Sequence, residues 1–140
     1  MNSVLIQGHP GIGPKATGLA LVADDNFSAR YDLNRIEGVF SRPAHKLFGQ
    51  AYVGKILVLN IAKGGVATAW MLHEMASRGM APAALLLNYA NPIIAQGAAF
   101  GGIALVDRFD VNITARIITG DTVSVDPATG EVIVSVAQPA

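Results

Sequence analysis

The chain has 140 residues, and its ten basic and ten acidic residues give a formal net charge of +0. Hydrophobic residues make up 51% and charged residues only 14%, against roughly 25% charge in an average domain. This balance excludes a charge-rich disordered chain and a basic nucleic-acid stripe. With no cysteine, it also excludes a disulfide, iron–sulfur or thiolate–zinc site built from this chain alone.

The length fits one domain over residues 1–140, with 135–140 as a loose tail. So apolar a small domain has either a bland surface or a surface that a partner covers. The start, Met1-Asn2-Ser3-Val4-Leu5, lacks a basic region followed by an apolar run. A secretory signal is therefore not expected, and the cytoplasm is the default location.

Residues 4–7 read as an edge strand. Gly8-His9-Pro10-Gly11-Ile12-Gly13-Pro14 is turn-rich and lacks the glycine order of a dinucleotide fingerprint. A second strand spans 19–22, bounded by Gly18 and Asp24-Asp25-Asn26. Residues 27–52 space Phe27, Tyr31, Ile36, Val39 and Phe40 through polar positions and read as loop, with room for one helical turn. A connection this long points to a functional or partner-facing loop.

Residues 55–59 are almost continuously apolar, as in a strand covered on both faces. A loop over 60–65 precedes a helix over 66–78, with Ala67, Trp70, Met71, Leu72, Met75 and Ala76 as its broad apolar face. His73, Glu74 and Ser77 lie opposite. Gly79 ends the helix as its C′ residue, and Pro82 prevents resumption. A strand over 83–87 completes a strand–helix–strand unit.

Asn91 and Pro92 open a short helix over 92–96, and a strand follows at 103–106. Residues 115–118 pack on the core. The alternating stretch 121–136 folds as a β-hairpin about Pro127-Ala128-Thr129-Gly130. The 28 residues between Arg78 and Asp107 carry no charge and are long enough to span a bilayer. Pro82, Asn88, Asn91, Pro92 and Gln96 cut them into short pieces, so buried strands and a helix are expected rather than a membrane span.

The strongest chemical signal is Asn60-Ile61-Ala62-Lys63-Gly64-Gly65-Val66-Ala67-Thr68, between a buried strand and a helix. Glycines bring backbone N–H groups close to a ligand, a helix start leaves N–H donors unpaired, and Lys63 adds charge, which suits a carboxylate or phosphate. The same residues also read as a tight turn with an exposed lysine. The order is not that of a P-loop, since Lys63 precedes the glycines.

His9, His45 and His73 form no metal motif. His73 belongs to a solvated helix face. His45, beside Arg42 and Lys46, either helps to hold an anion or sits in a surface loop. Ser28, Ser41 and Thr68 are the hydroxyls near candidate loops, and none occupies a nucleophile elbow. Asp24-Asp25 is a solvated turn or a partner contact, and Trp70, Met71 and Met75 are core. The domain thus offers anion binding without a complete catalytic set, which favours half of a split enzyme.

Several stretches in order carry a resemblance: Gly18-Leu19-Ala20-Leu21-Val22, Asn26-Phe27-Ser28 and Pro43-Ala44-His45-Lys46-Leu47-Phe48-Gly49. Gly54-Lys55-Ile56-Leu57-Val58-Leu59, Lys63-Gly64-Gly65, Ala81-Pro82-Ala83-Ala84 and Asn91-Pro92-Ile93-Ile94-Ala95-Gln96-Gly97 continue it. Gly120-Asp121-Thr122-Val123 and Asp126-Pro127-Ala128-Thr129-Gly130-Glu131-Val132 close it. Over about residues 15–134 the chain resembles the small subunit, or swivel domain, of aconitase X-type hydro-lyases.

The resemblance implies an α/β fold, a three-layer β/β/α aconitase-like swivel domain with a central strand–helix–strand unit and a C-terminal β-hairpin. It implies a large aconitase X-like partner subunit whose cysteines hold an iron or iron–sulfur centre, so this chain binds no cofactor itself. The activities it implies are dehydrations of a small hydroxy carboxylate, such as cis-3-hydroxy-L-proline or mevalonate 5-phosphate. The family loop reads Gly-Arg-Gly-Ser-Ser, with a serine acting as base. Here Gly65 and Val66 stand at the serine positions.

The expected catalytic residues are then Lys63 and Thr68. Ser28, His45, Gly64, Gly65 and Val66 are the expected substrate-binding residues, and no metal ligand is expected. Two other expectations stand beside this one: a non-catalytic carboxylate-binding or interaction domain that kept the swivel fold, and a self-associating enzyme with its site between copies.

Overall fold

The computed structural model describes residues 3–29, 31–63 and 66–135. Three apolar runs supply the centre of a parallel sheet: β5 (Ile56–Ile61), β6 (Ala84–Tyr89) and β7 (Ala104–Asp107). Successive strand residues point to opposite faces. Leu57, Leu59, Leu85, Leu87 and Leu105 therefore enter one core, while Ile56, Val58, Ala84, Leu86, Ala104 and Val106 enter another. Both faces are covered, which explains why these runs are nearly continuously apolar.

The first face is covered by α1 (Val66–Ser77) and α2 (Pro92–Gly101). The second is covered by antiparallel strands: β1 (Ser3–Gln7), β8 (Thr122–Asp126) and β9 (Glu131–Ser135). Their Ile6, Val123, Val125, Val132 and Val134 share the second core with Ile113 and Ile117 of α3 (Ile113–Arg116) and its C-cap. The layers are β, β and α.

Strand β2 (Ala16–Val22) passes from one β-layer to the other. Ala16 to Leu19 pair antiparallel with β8, and Ala20 to Val22 pair parallel with β5. The sheet order is β1-β9-β8-β2-β5-β6-β7. At the far edge Ile12 exchanges backbone hydrogen bonds with Leu105 at 2.9 and 2.8 Å. The glycine-rich turn 8–13 thus lies against β7, and a side chain at Gly11 would collide with the Leu105 carbonyl.

Several boundaries differ from the sequence expectation. Asn60 and Ile61 belong to β5 rather than to the following loop, because Ile61 still pairs with Tyr89. Helix α2 runs on to Gly101 rather than stopping at Gln96. Its small residues carry little helical signal, but they let α1 approach closely: a Cβ at Gly97 would lie 2.7 Å from Ala69 Cα. Asn91 caps α2 by accepting the Ile94 N–H at 2.8 Å, with Pro92 at the first position as expected. The end of α1 also follows expectation. Gly79 and Met80 donate to the Ala76 and Met75 carbonyls, the pattern of a Schellman stop.

Trp70 corrects the sequence reading. It is 64% exposed, whereas Thr68, Ala69, Leu72 and Met75 are buried. The inward side of α1 is set by the sheet beneath and α2 beside it, and Trp70 falls outside that arc.

The uncharged run resolves into β6, α2 and β7. Among the described residues no helix is long and apolar enough to cross a membrane. Residues 27–52 contain a small β-ribbon, β3 (Leu33–Asn34) with β4 (Val39–Phe40), and otherwise turns. The expected tail falls outside the described residues beyond Ser135.

Candidate functional site

After β2 the chain continues alongside β5. Ala23 N donates to the Val58 carbonyl at 3.1 Å and Asn60 N to the Asp25 carbonyl at 2.8 Å. Phe27 N donates to the Ile61 carbonyl at 2.9 Å, and Lys63 N to the Phe27 carbonyl at 2.7 Å. This pairing seats the Phe27 ring in the core and brings Ser28 near Lys63, the second residue after β5.

A cleft of about 440 Å³ opens there, lined by Asn26, Phe27, Ser28, Tyr31, Asp32, Arg42 and Lys63. It is roomier than the recess of about 280 Å³ beside Tyr89, Asn91 and Arg108. Its lining combines two aromatic residues, the Ser28 and Tyr31 hydroxyls, the Asn26 amide, one carboxylate and two cations, a mixture of apolar surface and few polar groups typical of small-molecule sites.

Beyond Phe27, side chains brace the cleft wall. Asp32 is 3% exposed. One of its oxygens accepts the Ser28 N–H at 2.9 Å, and the other accepts Arg42 Nε–H at 2.6 Å. Ser28 Oγ in turn accepts the Tyr31 N–H at 3.3 Å. Such charge-assisted bonds are the stronger kind and allow a carboxylate to be buried.

His45 pins the same segment from behind. It is 2% exposed, stacked on Phe40 with ring centroids 4.7 Å apart. Its Nδ1 accepts the Leu47 N–H at 3.0 Å, so the ring proton sits on Nε2, which donates to the Asn26 carbonyl at 2.7 Å. Asp25 and Asp32 carboxylate oxygens each lie 3.8 Å from Nε2.

Burial pushes the Asp25 carboxyl upward. The N–H groups of Lys46 and Asn26 outweigh it, together with His45 and Arg42, and hold its pKa below the ordinary 3.8. Elsewhere in the loop, burial raises the Tyr52 hydroxyl above its usual 10.0.

The residues expected from sequence fall in different places. Ser28 and Lys63 share the cleft wall. His45 is buried behind it. Thr68, in the first turn of α1, is 3% exposed and is not among the cleft-lining residues. Gly64 and Gly65 lie outside the described residues, and Val66 is the first residue of α1.

Asp32, Tyr31 and Arg42 were missed as site residues. The Asp32–Arg42 pair spans ten positions with no periodicity, so no local pattern marks it. Asp32 following Ser28 by four positions was the only available hint.

The residues present do not fit an iron–sulfur cluster or an iron ion. The chain has no cysteine. Among the described residues no group of three or more His, Asp or Glu could hold a metal. Both His45 nitrogens are already engaged.

Residues 5–134 match the Aconitase X swivel domain family. A phosphomevalonate dehydratase small subunit of Methanocella arvoryzae is 36% identical over 125 residues, covering 89% of this chain and 95% of that one. A second, of Thermococcus sibiricus, is 31% identical over 127 residues, covering 91% and 95%. The crystal structure of Thermococcus kodakaraensis aconitase X in its holo form superposes with a TM-score of 0.87 at 29% identity, covering 94% of this chain and 98% of that one. A UPF0107 protein solved by NMR gives 0.83 at 29% identity, covering 92% and 97%.

Proposed function

The chain belongs to the Aconitase X swivel domain family, as the small subunit of an aconitase X-like dehydratase, and on that premise we propose how it serves the reaction. It pairs in the cytoplasm with a large subunit that carries the iron or iron–sulfur centre, and it closes over a small hydroxy carboxylate such as cis-3-hydroxy-L-proline. The observation that supports this reading best is the cleft that sets Lys63 beside Ser28 on an apolar wall. A lysine at the mouth of a half-enclosed cleft attracts a carboxylate more strongly than one in open water does.

Dehydration removes a proton and a hydroxyl from neighbouring carbons and releases water. In this reading Lys63 holds the substrate anion, Ser28 offers a hydroxyl to its polar groups, and the Tyr31 ring helps to exclude water. Thr68 stands nearest in sequence to the loop positions where the family serine is absent, but it is buried and does not line the cleft, so this reading does not assign it the lost hydroxyl. The names of the curated relatives make mevalonate 5-phosphate the second substrate to try.

The test is co-purification with the large aconitase-like subunit, followed by dehydration assays on both compounds. We expect turnover only in the pair, and a Lys63→Ala complex with kcat/KM lower by about tenfold or more. Failure to form any stable complex with such a subunit overturns the reading. Gly65 and Val66 at the serine positions favour a second reading, in which the pair binds the carboxylate without turnover. An inactive but substrate-binding complex is its signature.

A further inference from the structure

In the sequence Arg42 entered only as a neighbour of His45, which either helps to hold an anion or sits in a surface loop, yet it is the second cation on the cleft wall. A guanidinium is a planar fork of five donors. Here one edge is already fixed, because Nε donates to Asp32 at 2.6 Å and Asp32 is itself anchored by the Ser28 N–H. Fixing Nε fixes the plane of the group. Among the described residues no acceptor takes the two Nη groups, and the side chain is 42% exposed beside the cleft. Asp32 has one oxygen on Arg42 and the other on Ser28 N–H, so it presents no unpaired carboxylate oxygen to a ligand.

We propose that Arg42, aimed by the buried Asp32, is a specificity-determining residue of this cleft. It takes two oxygens of the substrate's oxyanion group through its Nη fork, while Lys63 acts as a point charge nearby. The proposal rests on the cleft being the substrate site. Asp32 is a positioning residue that acts through Arg42. The chemistry recognised is an oxyanion, which a carboxylate or a phosphate on the substrate can supply.

The test is an NMR titration of the full chain with inorganic phosphate and, separately, with succinate. Saturable shifts are expected at the amides of Ser28, Asp32, Arg42 and Lys63, and at the Arg42 Nε–H. The probe that binds more tightly identifies the group. Arg42→Lys keeps the charge facing Asp32, and so the fold, but loses the fork. Affinity should fall by about tenfold, the loss of one charge-assisted hydrogen bond.

Asp32→Asn should weaken binding and move the Arg42 Nε–H resonance. Combined with Arg42→Lys, it should add little further loss, because Asp32 acts only through that fork. Unchanged affinity in Arg42→Lys for both probes overturns the proposal, as do shifts confined to other faces.

Failure of the enzymatic reading has a separate signature. A complex without dehydratase activity, but with Arg42-dependent anion binding, removes the hydro-lyase and keeps this site. An active complex whose KM and kcat ignore Arg42→Lys does the reverse.

Discussion

The stretch from β5 to β7 and the stretch from Asp25 to Tyr52 pack on the same core, yet they are ordered by different forces. In the first, parallel ladders satisfy the backbone, and leucines from alternating positions fill both faces of the sheet. In the second, the ladder is a two-residue ribbon. The rest of the backbone there is held by turn and loop hydrogen bonds, braced by Asp25, Asp32 and His45 side chains, with Phe27, Phe40 and Tyr52 as buried anchors. Apolar layers are suited to global stability. A polar network spread over a loop is suited to placing a few groups on a cleft wall, and it opens more readily.

Substitutions can break this contrast. The largest effect belongs to the sheet. Leu85→Ala empties a fully buried position and should cost about 2–5 kcal/mol in denaturant unfolding, with hydrogen-exchange protection falling throughout the molecule. His45→Ala leaves the Asn26 carbonyl and the Leu47 N–H without partners and removes the stack on Phe40. It should cost about 1–3 kcal/mol. Its exchange losses should be confined to residues 25–52; equal losses in β6 would show that the two regions unfold as one.

The smallest effect is acid sensitivity. The Asp25 pKa is depressed in the folded chain, so its contribution is fully present above the ordinary 3.8 and is lost as pH falls through the lower folded value. Stability should therefore drop below pH 3.8, and Asp25→Asn should flatten that limb of the profile. An unchanged profile would place the acid sensitivity in other carboxylates.

Much of the fold was legible because its signals are local. The apolar runs at 56–59 and 84–87 announce strands covered on both sides. Asn91-Pro92 announces a helix start, Gly79 a helix stop, and Pro127 to Gly130 a hairpin turn. The failures are positions where a neighbour decides. Trp70 looks like core by hydropathy, but α2 packs on α1 at Ala69 against Gly97, and Trp70 lies outside that contact. Helix α2 lengthens because glycine and alanine, poor signals alone, allow that close packing.

The site divides in the same way. Lys63, after a buried strand and before glycines and a helix, stood out from chemistry and order alone, and it lines the cleft. The large partner subunit came from the family resemblance, since composition by itself left a bland surface and a covered one equally open. Sequence order could not show that the segment after β2 runs beside β5, which sets Ser28 next to Lys63. Nor could it show that His45 turns inward to brace the wall, or that Asp32 reaches ten residues along the chain to orient Arg42. The local elements follow from periodicity and capping, which act over a few residues. The cleft depends on hydrogen bonds between residues that only the packed sheet brings within reach.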